Sequence, residues 1–495
     1  MGNTYLGIDL GTSAMKIVLI DEKKNVLDQV TQDYQTMKTD AGRSEIDPEI
    51  WVTCMKNGID KILADQDRSK LKRIGITGQM HTLIILDVNG KSIGPALMWN
   101  DLRAKELLPE LRDKMKNFPD GDYLARTVST GSPAANLYWL RKNQQEKFQK
   151  IHRFLIGPDY LVFRLTGEYC TDYCGASTSC LYQLSSREWS EDMRKLLGLP
   201  KTAYPKVAGS MTIAGCITED MAELLHLEKD VEVLVGTGDN PATAISTGCL
   251  GKGYPVISLG TSGVLMMPVK EPDRQAKGKL ILFSLDGFSY SCLIQGVVQS
   301  NGSTFDWCAK EIMGFHDLSA VDKKMIPDQM MNSEVLFYPH LAGDKTIYAD
   351  PDLRGAFIGL GIDTDKYTLL YAVIEGLCFS LRQLAEEMQL PVRCYKAIKV
   401  VGGGAKSSVW MQTLANVLNM KIEKMNGMIG PAFGIAFLAA QENKDDCSFQ
   451  KITEGTVKVE ACYEPEEAAV QICEKKYQKY LRIQTGIKYI SEDTI

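Results

Sequence analysis

The tetrapeptide Leu-Gly-Thr-Ser occurs twice, at 10–13 and at 259–262, about half of the 495-residue chain apart. Each copy lies between two apolar runs. Residues 8–20 read Ile-Asp-Leu-Gly-Thr-Ser-Ala-Met-Lys-Ile-Val-Leu-Ile, and 257–269 read Ile-Ser-Leu-Gly-Thr-Ser-Gly-Val-Leu-Met-Met-Pro-Val. Both read as strand, tight glycine turn and returning strand. Four matching residues alone carry little weight. The same four in the same setting point to a duplicated domain with a hinge near 245–255. The chain is therefore expected to divide into residues 1–247 and 248–495.

The segments around the first copy predict the fold class. Residues 5–21 form two strands joined at Gly11-Thr12-Ser13, and 25–34 supply a third. Asp47-Pro48 opens a helix, because proline suits the first helical position. Its apolar residues Ile50, Trp51, Cys54, Met55, Ile59 and Ile62 recur at helical spacing. Residues 74–78 and 83–87 are further short strands. In the second half, 397–408 read as strand and glycine loop, 409–418 as a helix, and 430–440 as a small-residue helix able to pack closely on its neighbours. The tail from Ser448 reads as a polar strand and a final helix. Strands interleaved with helices imply an α/β fold.

Composition narrows the partners. Hydrophobic residues at 44% and charged residues at 24% are ordinary for a globular chain. A net charge of −6 offers no basic coat, so no nucleic-acid partner is expected. Uncharged runs such as 253–269 are broken by Gly, Pro, Ser and Thr, so no membrane span is expected. The N-terminus enters a strand pattern directly, without a secretory leader. Leu6 stands where a myristoylation motif needs Ser or Thr. The 13 cysteines include no CxxC pair, and Cys170, Cys174 and Cys180 suit no common zinc spacing. Core thiols in a reducing cytoplasm are the expectation.

Several stretches carry chemistry. The Gly-Thr-Ser turns expose backbone N–H groups and hydroxyls, a concavity for anions. Two facing turns can hold one polyphosphate; two ordinary hairpin turns are the alternative. Asp9, just before the first turn, is placed to orient Mg²⁺ directly or through water, or merely to cap its turn. Gly402-Gly403-Gly404-Ala405-Lys406-Ser407 is a strand-to-helix loop whose bare backbone suits phosphate. It lacks the Walker A spacing. Pro241 makes Asn240 the expected N-cap of a helix, with Asp239 just outside its positive end. That field favours an ionised carboxylate. A charged weak base fits phosphoryl transfer; a purely capping Asp239 is the alternative. Gln79-Met80-His81-Thr82 lies between two strands, and Trp99-Asn100-Asp101-Leu102-Arg103 offers an aromatic wall with polar groups. A structural His81 and a plain surface loop are the respective alternatives.

Taken together, Asp9 to Ser13, Gly78 to His81, Trp99 to Arg103, Gly238-Asp239-Asn240, Leu259 to Gly263 and Gly402 to Ala405 stand in the order seen in the FGGY carbohydrate kinases. The resemblance runs from about residue 5 to residue 440 and is greatest to the branch acting on the ketopentose D-xylulose. It implies two actin-like, ribonuclease-H-like domains around a cleft. The sugar would lie mainly on the N-terminal domain and ATP mainly on the C-terminal one. By the same resemblance, Asp239 is the base and Asp9 positions Mg²⁺–ATP. Met80, His81, Trp99, Asp239 and Asn240 contact the sugar. Thr12, Gly260, Thr261, Gly302, Gly403 and Gly404 line the nucleotide. The family's Gly-Glu-Arg-x-Pro stretch is replaced by Ala342-Gly343-Asp344-Lys345-Thr346-Ile347, and Thr82 adds volume and a hydroxyl near the sugar. These departures leave related ketoses, polyols and sugar acids open as acceptors. An actin-like ATP-driven switch is the rival reading, and a homodimer is left open.

Overall fold

Strand β1 (Thr4–Leu10) is buried along its whole length, which places it in the middle of a sheet covered on both faces. β2 (Ala14–Asp21) returns antiparallel and β3 (Val26–Asp33) continues the meander. Helix α1 (Pro48–Ile62) leads over to β4 (Leu71–Gly78), parallel to β1 on its other side. The carboxylate of Asp47 accepts from Glu49 N–H at the head of α1, and Trp51, Met55, Ile59 and Ile62 form its buried face. β5 (Ile213–Cys216), β6 (Glu232–Leu234) and β7 (Thr237–Gly238) complete a seven-stranded sheet ordered β5-β6-β4-β1-β2-β3, with β7 also on β4. Residues 83–86 join a separate five-stranded sheet instead. This computed structural model describes residues 2–38, 42–269, 274–350, 352–441, 449–453 and 455–492.

Helix α2 (Asp239–Ser246) leads into a second seven-stranded sheet. Its strands are β8 (Val256–Leu259), β9 (Gly263–Val269), β10 (Lys279–Ser284), β11 (Tyr290–Val298), β12 (Ile398–Val401), β13 (Ile422–Gly427) and β14 (Val457–Tyr463). The order is β10-β11-β9-β8-β12-β13-β14. β8 plays the part of β1. Three antiparallel strands stand on one side of it, in the order β9-β11-β10, two parallel strands on the other, and an antiparallel strand closes that edge. In the first sheet β2 and β3, β4 and β6, and β5 occupy the same places. The tetrapeptide repeat thus marks a repeated topology.

Helices α3 (Lys366–Glu387), α4 (Ser408–Leu418), α5 (Pro431–Ala439), α6 (Glu467–Tyr480) and α7 (Ile483–Glu492) complete the second half. Among the described helices α3 alone has the length and apolarity to cross a membrane. It is buried continuously from Leu370 to Ala385, as the core helix of a folded domain. The tail ends in two helices rather than one. Ser448, where that tail was expected to begin, lies outside the described residues, as does Cys447; the described cysteines are all free.

The halves meet through α5. A Cβ on Gly7 would come within 2.1 Å of the Ala432 carbonyl, and one on Gly75 within 2.7 Å of the Ile435 carbonyl. On the opposite contact, a Cβ on Gly434 would stand 1.9 Å from the carbonyl of Ala242 in α2. The small-residue helix of the second half is therefore clamped between β1 and β4 of the first sheet and α2. Backbone meets backbone at all three points, so no side chain can swing aside. Gly434→Ala is expected to lower the stability of the whole chain by about 1–3 kcal/mol, the usual cost of overpacking a core. Urea denaturation should show the loss as a lower midpoint.

Candidate functional site

Three parallel strand ends build the site. Asp9 pairs in register with Thr77, and Thr77 with Thr237. Asp9 near the end of β1 and Asp239 just past β7 therefore flank the end of β4. Ligands of open α/β sheets gather at such carboxyl ends. Asp172 fixes this arrangement from behind, accepting hydrogen bonds from Thr237 Oγ1 at 2.6 Å and from Gly175 N–H at 2.8 Å.

Asp9 is buried, and Asp239 is half-buried with its Oδ1 enclosed. Burial is the main cause of their shifts: Asp9 is pushed up to about 7, with the charge of Asp239 adding and Lys16 opposing. Lys16 stands opposite Asp9 across the β1–β2 hairpin. Asp239 is pushed up to about 6 by burial, against the backbone N–H groups at the head of α2. Here two expectations are corrected. The cap of α2 is Gly238, extended as the last residue of β7, so Asp239 is the first helical residue and Asn240 is not the cap. The helix field is present, yet desolvation outweighs it, and Asp239 does not sit below the usual carboxylate range. Its Oδ1 is buried with no partner.

Beyond β4 the chain turns through His81, whose φ of 73° is rare for a side chain and marks strain held by the surroundings. Met80 Sδ lies 3.2 Å from Cys174 Sγ, and both sulfurs close over Gly238. Trp99 Nε1 donates to Thr12 Oγ1 at 2.9 Å, so a residue assigned to the sugar touches one assigned to the nucleotide. Thr82 is fully buried and its hydroxyl accepts from Trp99 N–H at 3.3 Å. That hydroxyl holds the backbone of the tryptophan. Asp101 and Arg103 pair at 2.8 Å, and Asp101 also accepts from Ser44 N–H. They brace the loop that carries Trp99. Asn240 Nδ2 donates to Gln295 Oε1 of β11 at 2.9 Å, joining the first half to the second.

The glycine loops assigned to the nucleotide meet at residues 259–261. Gly302 N–H donates to the Gly260 carbonyl at 2.9 Å, and Asn301 and Ser303 N–H both donate to the Thr261 carbonyl at 3.2 Å. A Cβ on Gly404 would touch Leu259 Cβ at 2.8 Å, whereas one on Gly403 would meet nothing. Thr261 and Gly403 are exposed. Two glycine loops thus lie side by side, open at Thr261 and Gly403, a concavity suited to phosphate.

Four residues were missed by reading the sequence. Lys279 Nζ stands 2.8 Å from His81 Nε2, and Lys345 Nζ lies 5.4 Å from the centre of the Trp99 ring. Burial lowers both lysines, and burial followed by the two lysine charges holds His81 well below its ordinary value, hence neutral. Gln295 holds Asn240, as above. Asn301, at the head of the Gly302–Trp307 helix, has a buried amide with neither atom partnered. Nothing in the spacing of these residues signals a site; the basic residue at 345 was seen only as a departure from the family stretch.

Residues 4–246 match the model for the N-terminal domain of the FGGY family of carbohydrate kinases, and 256–442 match that for its C-terminal domain. The xylulose kinase of Staphylococcus xylosus is 28% identical over 97% of this chain and 98% of its own length. That of Lactococcus lactis subsp. lactis is 30% identical over 99% of both. A crystal structure described as a xyloylose kinase from Brucella ovis superposes with a TM-score of 0.90 at 29% identity, over 99% of this chain and all of that one. With two actin-like halves, strand-end carboxylates and both domain models matched in order, the chain belongs to the FGGY family of carbohydrate kinases.

Proposed function

We propose that the protein transfers the γ-phosphoryl group of ATP to a hydroxyl of D-xylulose, giving D-xylulose 5-phosphate. The observation that carries this reading is the buried, unpartnered Oδ1 of Asp239 beside the strand end that bears Asp9. A buried acceptor atom without a donor is costly unless a ligand supplies one. A sugar hydroxyl does so, and Asp239 takes its proton as the oxygen attacks phosphorus. Relatives named xylulose kinases, similar over nearly their whole length, support the choice of sugar. Met80, His81, Trp99 and Asn240 would line the sugar, with neutral His81 offering hydrogen bonds rather than charge.

Thr12, Gly260, Thr261, Gly302, Gly403 and Gly404 would line the nucleotide. Asp9 fits Mg²⁺, which takes one or two carboxylates and completes its shell with water and phosphate oxygens. Bound there, Mg²⁺ would neutralise phosphate charge. We place the domain boundary near residue 247, between the two family matches. Free cysteines and a need for ATP fit the cytoplasm.

Asp239→Asn is expected to lower kcat by about 10²–10⁴-fold, the usual contribution of a positioned base. The same change should stabilise the fold at pH 8. The folded carboxyl titrates near 6, above its ordinary 3.8, so the native state bears the full burial cost once both states are ionised, and none of it below pH 4. A gain of about 1–3 kcal/mol at pH 8 that fades toward pH 4 follows. Near-wild-type kcat, or a loss of stability at pH 8, contradicts the assignment.

At saturating Mg²⁺–ATP, kcat/KM for the sugar should fall tenfold per unit below about pH 6, where Asp239 takes up its proton. The residual activity of Asp239→Asn should lack this limb. ADP release should depend on added D-xylulose and exceed that with D-ribulose, L-ribulose, L-xylulose or glycerol. Release at one rate with and without sugar would favour the ATP-driven switch.

A further inference from the structure

Residues 340–350 include the stretch that departs from the family pattern, and they form neither helix nor strand. A chain in irregular conformation still has to satisfy its main-chain N–H groups where water is excluded. Here one side chain does so. The carboxylate of Asp344, only 2% exposed, accepts from Tyr348 N–H at 2.7 Å and also draws on the N–H groups of Thr346, Ile347 and Ala349. Asp344 N–H in turn donates to the Asp350 carbonyl at 2.8 Å. The loop is thus wound around its own carboxylate, tightly enough to hold Ala349 at a φ of 53°. Its back is packed on aromatic rings. The His340 ring lies 4.5 Å from that of Tyr338, and His340 Nδ1 stands 3.5 Å from Asp344 Oδ2. Gln383 Nε2 of α3 donates to Tyr348 OH at 2.7 Å, and Lys277 Nζ to the Ile347 carbonyl at 2.9 Å.

From that backing the loop reaches three parts of the cleft. Ala342 N–H donates to Ser300 Oγ at 3.1 Å, next to Asn301 and Gly302. Val297 N–H donates to Thr346 Oγ1 at 3.1 Å, on the strand whose Gln295 holds Asn240 beside Asp239. Lys345 is exposed, with Nζ 5.4 Å from the centre of the Trp99 ring, and Trp99 itself donates to Thr12. The nucleotide turn, the strand behind Asn240 and the sugar wall therefore share one support. Asp344 makes none of these three contacts; it shapes the loop that does.

Resting on the kinase reading above, we propose that Asp344 is a positioning residue for phosphoryl transfer: by holding the 342–348 loop it sets the sugar wall against the nucleotide turn, and with them the distance from the acceptor hydroxyl to the γ-phosphorus. In-line transfer tolerates little error there, since a displacement of about 1 Å costs on the order of 10²-fold in rate. Asp344 exchanges no proton with substrate and touches neither reactant.

The test measures kcat, KM for D-xylulose, KM for Mg²⁺–ATP and the ADP formed per sugar phosphate. The proteins are the wild type, Asp344→Asn, Asp344→Glu, Thr346→Val and the Asp344→Asn/Thr346→Val double variant. Asparagine keeps the shape but turns one acceptor oxygen into a donor facing the loop N–H groups. In Asp344→Asn, kcat should fall by about tenfold or more and KM for D-xylulose should rise. ADP should exceed sugar phosphate, because water reaches the γ-phosphoryl group when the acceptor is misplaced. A fold merely weakened would leave fewer active molecules, with both KM values unchanged and one ADP per sugar phosphate. Asp344→Glu, which keeps the charge, should retain more of kcat/KM than Asp344→Asn. Thr346→Val should shift the same quantities in the same direction, and the double variant should be little worse than the poorer single one, since both changes act through one loop. Thr346 is half-buried and valine is near its shape, so this variant and Asp344→Glu keep the test open should Asp344→Asn fail to fold. Unchanged KM and stoichiometry in Thr346→Val and in the Asp344 variants that fold overturn the inference and leave the kinase reading standing. A double variant whose loss is the product of the single losses also overturns it. No ADP from the wild type with any acceptor overturns the kinase reading, and this inference with it.

Discussion

Close backbone contact at Gly7, Gly75 and Gly434 is the constraint on which the rest of the structure depends. Through it a helix from the end of the second half lies directly on the first sheet and on α2. Helix α2 begins at Asp239, and Asp9 is the last residue but one of β1. The same clamp that joins the halves therefore sets the two carboxylates against each other. Any side chain at these three glycines would have to move main chain, which a packed interior does not allow cheaply.

Burial then does the electrostatic work. Two carboxylates on either side of the β4 end are both raised, and both therefore suit ligands that bring positive charge or a donor. A short distance away two lysines are lowered by the same loss of water. Opposite charges are thus held apart within one site rather than paired with each other. A site built only for stability would pair such charges or remove them. Asp172 shows the contrast: it is buried and fully engaged by Thr237, Gly175 and Ser210, and it acts by position alone.

Much of this was legible in the linear chain. Gly-Thr-Ser turns with apolar flanks announce hairpins because only a few residue types tolerate the turn, and their recurrence announced the duplicated sheet. Asp9 and Asp239 stood out through their neighbours, a glycine turn and a proline-led helix. The start of α2 was misjudged because Pro241 is compatible with more than one early helical position, and only the pairing of β7 with β4 settles where the strand stops. The partner of the Thr82 hydroxyl was not legible, because it depends on which main-chain N–H comes within reach, here that of Trp99.

Local rules read along the chain determined the elements, the repeat and the acidic half of the site, because turns, caps and periodicity depend on residues a few positions apart. The tertiary structure alone decided that Lys279 would meet His81, that Lys345 would cover Trp99, and that Gln295 would hold Asn240. These partners are separated by tens to hundreds of residues and come from opposite halves. Their meeting follows from how two similar sheets are set against each other, and the relative placement of two packed bodies leaves no periodic signal in either sequence.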